Sequence, residues 1–208
     1  GGLFQVYYGC DPPAVEDLMA PKPWWEIERV SVKRHTSCGA CHPALFAALS
    51  IRESESLQPE DIVGAEIFGH REGGFVSKRL DLSENPQVAA QFSVAYCVAY
   101  ALLRGEQRLE DWTDEAILAD EEVADFTNHV FYGQVPRFWQ KERYDAPRDF
   151  GAYTRKWQGV QVYTVDEEMH ELARCPAQIF DPDAVNYEDV KAKFRKCAAF
   201  SGLCDDEC

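Results

Sequence analysis

Residues 33–42 read KRHTSCGACH, and within them Cys38, Cys41 and His42 stand in the spacing C-x-x-C-H. Two thiols beside an imidazole are what covalent c-type haem attachment uses, and the same donors suit a metal or a redox centre. Haem would need a distal ligand, for which Met19, Met169, His70, His129 and His170 are all available. That availability discriminates nothing, because most chains of this length offer such a residue. A closed zinc site needs a fourth ligand and, ideally, a second cysteine pair. Cys204 and Cys208 are loosely spaced for that role and lie at a terminus. The simplest reading is small residues packing a strand-to-helix turn, so no metal and no organic cofactor is expected. Lys33 opens the same stretch and offers different chemistry, a fixed cation that could hold a carboxylate.

Composition sets what that chemistry must work against. The chain has 208 residues, 46% hydrophobic and 12% aromatic, enough to fold around a core. Its formal net charge is −15 and its pI is about 4.7. Such a surface repels phosphate backbones and anionic lipid, so neither nucleic acid nor membrane is an expected partner. An anionic substrate would need a local cluster of basic residues. No apolar run reaches the roughly 18–20 residues that cross a bilayer. The chain starts GGLFQVYYG, with no visible signal peptide, and reads as a piece of something longer. Its eight cysteines, at 10, 38, 41, 97, 175, 197, 204 and 208, are too scattered for a stapled scaffold. They read mostly as reduced thiols of an intracellular protein, cytoplasmic or mitochondrial.

The elements that position these residues are legible. After the short apolar segment Leu3–Gly9, the prolines at 12, 13, 21 and 23 predict a loop. IERVSVKRHT alternates like a strand. From Pro43, Leu45 and Leu49 predict a helix, and PEDIVGAEIFGH predicts a strand entered from a turn at Pro59. NPQVAAQFSVAYCVAYALLRG predicts one long buried helix between Pro86 and Gly105. LEDWTDEAILADEEVADFTNHV predicts two short acidic helices, and VQVYTVDEEMHEL a strand followed by polar residues. The last helix, NYEDVKAKFRKCAAF, places Val190, Phe194 and Cys197 on one face. The expected class is α+β: an entry segment over 1–29, a small mixed-sheet domain with packed helices over 30–165, and a C-terminal helical segment over 166–208.

These blocks together carry a resemblance. VSVKRHTSCGACHPALFAALSIRE followed by PEDIVGAEIFGH resembles the MmgE/PrpD family, which includes 2-methylcitrate dehydratases and cis-aconitate decarboxylases. The family commonly reads K-x-x-x-S-C-x-x-T-H-P-A-x-D-A-A here, so Cys41 replaces a Thr and Phe46 an Asp. AQFSVAYCVAYALLRG is similar to a second signature, with Gln91 for the usual Lys, and EDVKAKFRKCAAF to the final helix.

The resemblance implies the C-terminal portion of a cofactor-independent lyase: an α+β lid domain plus a helix that returns to an all-helical domain. The implied chemistry is proton abstraction alpha to a carboxylate, then loss of water or carbon dioxide. The implied substrate is a small di- or tricarboxylate such as 2-methylcitrate or cis-aconitate. The family's D-D-T-H motif belongs to the helical half and does not occur in this chain. That half is therefore an expected partner, as a separate chain or segment, in a homo- or hetero-oligomer. Lys33 is implied to face the active-site cleft as the catalytic and substrate-holding cation. Cys38, His42 and Gln91 are implied substrate-binding positions, and His42 also suits a helix-capping role. Two alternatives stay open: a catalytically incomplete protein-interaction module, and metal or haem binding through Cys38, Cys41 and His42.

Overall fold

In a computed structural model the described residues are 33–70, 72–134, 158–174 and 187–203. Contacts divide the chain into Gly1–Val30 and Ser31–Cys208, and every described residue belongs to the second unit. The expected apolar segment at 3–9, the proline-rich loop, residues 27–32 of the first expected strand, and Cys10, Cys175, Cys204 and Cys208 lie outside the described residues.

The sheet has four strands: β1 (Ile62–Phe68), β2 (Val130–Gly133), β3 (Gln158–Thr164) and β4 (Met169–Arg174), in the order β2-β1-β3-β4. β2 runs parallel to β1, whereas β3 and β4 are antiparallel to their neighbours. The helices are α1 (His42–Ser54), α2 (Pro86–Gln91), α3 (Val94–Leu103), α4 (Asp114–Ala119), α5 (Glu121–Phe126) and α6 (Tyr187–Phe200). The class is α+β. α1 packs between β3 and β4 on one side and α3 on the other. Leu45 and Ile51 of α1, Val98 and Leu102 of α3, and Val160 and Val162 of β3 are buried in one cluster there. That burial is the principal favourable term holding the layers together.

Three local expectations change. Residues 34–37 form bends rather than the end of a strand. Their neighbours' backbone groups find other partners: the Cys38 amide donates to the Gln91 carbonyl at 2.8 Å, and His42 Nε2 donates to the Ser37 carbonyl at 3.3 Å. The long helix expected over 86–104 breaks into α2 and α3. The Val94 amide donates to the Val76 carbonyl at 2.7 Å, and Ser93 Oγ accepts from the Tyr96 amide at 3.1 Å, so a capped helix restarts at Val94. The ten residues of α3 are all buried, while Val88 and Phe92 are exposed.

The polar residues after β3 turn back as β4. Thr164 Oγ1 donates to Asp166 Oδ1 at 2.5 Å, the Glu168 amide donates to the same oxygen at 3.3 Å, and Glu167 takes φ 65°. A hairpin turn without Gly or Asn at its left-handed position carries no familiar sequence signal. The hairpin spans position 165, so the segment 166–208 begins with a strand of the sheet. The remaining expectations on described residues, α1, β1 with its turn at Pro59–Asp61, the two short helices α4 and α5, and α6, match the structure.

Candidate active-site groove

The bends at 34–37 lead into a 3-10 turn, Gly39–Cys41, and then α1. Pro43 sits in the first turn of α1, where its missing N–H costs nothing. His42 starts the helix with no exposed surface. Because a carbonyl only accepts, the bond to Ser37 puts the proton on Nε2. Burial holds the His42 imidazole down at about 4; the Ser37 carbonyl opposes this, and the Lys33 and Lys193 charges add to it. His35 packs edge-on against His42, with ring centroids 5.4 Å apart, and against Phe46 at 4.9 Å. Its Nε2 is buried with no hydrogen-bond partner among the described residues. Burial pushes His35 down to about 3, with His42, Lys193, Arg34 and Lys196 contributing in the same direction. Both imidazoles are therefore neutral at pH 7.

His35 lines a groove of about 890 Å³ between α1, the turn at Gly105 and α6. Phe46, Leu49 and Leu57 form its apolar side; Arg34, Arg52, Lys193 and Lys196 bring four cations to it, and Glu53, Glu106 and Asp189 three carboxylates. Arg34 lies 3.5 Å from Asp189, Lys196 2.9 Å from Glu106, and Lys193 Nζ donates to the Lys33 carbonyl. Gly105 suits its place because its φ is +89°, in the left-handed region that favours glycine. In a chain of net charge −15 this groove sets four cations against three carboxylates, beside neutral imidazole. That arrangement can hold and orient an anion.

The residues singled out in the sequence fall into two layers. Lys33 is exposed at the rim, outside the lining, with its carbonyl tied to α6. Its ammonium is near enough to bear on both His42 and Cys41. Cys38 and Gln91 are half-buried and joined through their backbones. Neither they nor buried His42 are among the residues that line the groove. Cys41 is a fully buried free thiol; a hydrogen bond with the Cys97 thiol, and burial, push it above the ordinary thiol range. The spacing C-x-x-C-H is thus used in packing, with Cys41 and His42 both turned inward. Among the described residues no three His, Cys, Asp or Glu side chains group as a metal site.

His35, Arg34, Arg52, Lys193 and Lys196 escaped the sequence reading. The run KRH at 33–35 was a usable signal. Lys193 and Lys196 had none, because basic residues on an exposed helix ordinarily face water.

Among the described residues no helix is long and apolar enough to cross a membrane. The fold and groove define an α+β domain with a groove lined by both basic and acidic side chains. The family model of the MmgE/PrpD C-terminal domain matches residues 35–206, and the chain belongs to this family. No curated protein compared with it matches.

Proposed function

We propose that this chain is the lid-bearing C-terminal part of a cofactor-independent lyase, a dehydratase or decarboxylase acting on a small di- or tricarboxylate. The observation that supports this reading is that Arg34, Lys193 and Lys196 line the groove near His35. A carboxylate entering it exchanges water for charge-assisted hydrogen bonds, and two such contacts fix the substrate's orientation. Lys33 at the rim adds charge that draws the anion in. Cations on the carboxylate also stabilise the carbanion-like charge that develops when a proton leaves the neighbouring carbon. A base from the helical half, on another chain or another part of a longer polypeptide, takes that proton. His35 is held neutral chiefly by burial and so adds no charge of its own beside the substrate.

Calorimetric titration with 2-methylcitrate and cis-aconitate at low ionic strength tests the reading. The expected result is saturable binding that weakens with added salt, and that Lys33→Ala and Lys193→Ala each reduce by about tenfold, or about 1.4 kcal/mol. Equal affinity for an uncharged triamide analogue overturns it. Lyase activity is then sought with the helical half present.

A second reading, a non-catalytic interaction module, draws on the exposed Tyr187, Val190 and Phe194 of α6. Native mass spectrometry of the protein from its source separates the two. A partner that carries the D-D-T-H half supports the lyase, and an unrelated partner supports the module.

A further inference from the structure

Three thiols meet where the turn Gly39–Cys41 runs between α3 and the start of α1, and the cationic groove uses none of them. Cys38 is partly open to solvent, whereas Cys41 and Cys97 are wholly buried. The Cys41 amide donates to the Cys38 carbonyl at 2.9 Å. A bond of that type closes a four-residue turn whose end Cα atoms lie within about 7 Å. A disulfide needs Cα atoms about 4.4–6.8 Å apart, so the turn holds the two cysteines in bridging range. Gly39 and Ala40 between them carry little side chain to bar approach to Cys38. The Cys97 thiol is engaged from behind, donating to the Ala90 carbonyl at 3.8 Å.

We propose that Cys38 and Cys41 form a reversible disulfide, a two-electron redox site whose oxidant is a low-molecular-weight disulfide of the glutathione type. The Cys38 thiolate attacks one sulfur of the oxidant, whose S–S bond breaks, and the released thiolate takes up a proton. The Cys41 sulfur then attacks Cys38 Sγ, and its proton passes to the departing small sulfur. The second small thiol leaves as the intramolecular bond forms. Two protein thiols are oxidised to one disulfide, and the oxidant is reduced to two thiols. Access explains the order: the exposed thiol reacts first and its buried neighbour resolves the adduct. The bridge exchanges the Cys41–Cys97 contact for a covalent bond at the head of α1.

The test is peptide mapping of the folded full chain after treatment with glutathione disulfide at about pH 8, near the ordinary thiol range. Free thiols are alkylated before digestion with trypsin. The peptide 35–52 holds both Cys38 and Cys41, and the peptide 80–104 holds Cys97. The expected product is peptide 35–52 unalkylated, lacking two hydrogens, and alkylated at both sites after reduction. Cys97→Ser should close the same bridge, while Cys41→Ser should stop at a glutathione adduct on Cys38. Peptide 35–52 joined to 80–104, wild-type protein halting at the adduct, or both thiols remaining alkylatable each overturns the proposal. The wild-type map reads the outcome even where a variant fails to fold.

Discussion

Helix α3 buries every one of its ten residues, from Val94 to Leu103. Helix α6 is longer, yet Ala198 is its one buried residue among those described, and Tyr187, Val190, Phe194 and Phe200 are exposed. α3 sits against α1 with Trp112 stacked on Tyr100, ring centroids 6.4 Å apart. α6 is held by Lys193 on the Lys33 carbonyl, Arg34–Asp189 and Lys196–Glu106, polar contacts near the surface. Such contacts contribute little net stability each, because exposed charges exchange one well-solvated state for another. The difference separates two tasks. α3 sets the fold through apolar area, while α6 aims cations into the groove at little cost to the fold.

The largest effect expected from a single substitution that breaks this contrast is Leu102→Ala. It removes a fully buried side chain from α3 and should cost about 3 kcal/mol, read by chemical denaturation. A loss under about 1 kcal/mol would mean that α3 is not the packed centre.

Acid acts through the paired imidazoles, and summed over its window its effect exceeds that of any single substitution here. The folded state holds His42 at about 4 and His35 at about 3, below the unfolded 6.5. The unfolded chain therefore binds more protons from about pH 6.5 down to about pH 3, and stability falls with pH across that window. The slope approaches about 1.4 kcal/mol per pH unit for each imidazole. Denaturation midpoints measured between pH 7 and pH 4 check this, and replacing His35 by Gln should flatten the slope.

Smaller still is Ser93→Ala, which removes the hydroxyl that accepts from the Tyr96 amide at the head of α3. It should cost about 1 kcal/mol in the same denaturation experiment. Smallest is Phe194→Ser on the exposed face of α6, expected within about 0.5 kcal/mol of wild type. A loss of 2 kcal/mol there would show that this face is covered and that the contrast with α3 is weaker than its exposure indicates.

How much of this was legible in the chain differs by residue. Pro43, Leu45 and Leu49 announced α1, and Pro59 with the apolar run behind it announced β1, because both signals are local. The break between α2 and α3 was not legible. Ser93 is an ordinary residue until Val76, seventeen positions upstream in the chain, takes the Val94 amide and leaves the hydroxyl to cap α3. The β3–β4 turn was hidden for a similar reason, since Asp166 and Glu167 look like solvated charges until Thr164 and Glu168 close around them. In the candidate site, Lys33 drew attention through its motif, whereas His35 beside it did not. A histidine in a sequence shows neither its burial nor the cations around it.

The sequence by itself determined the α+β class, the family, the acidic surface that makes a local cationic cluster significant, and the C-x-x-C spacing. All of these come from composition, periodicity and short-range spacing, which need no knowledge of distant neighbours. Tertiary structure alone decided that Lys193 and Lys196, some 160 residues from Lys33, share a groove with Arg34 and His35. It also decided that Cys41 and His42 turn inward while Cys38 stays partly exposed. The physical reason is the same in each case: burial and electrostatic surroundings are properties of what packs against a residue, and for these residues the packing partners come from far along the chain.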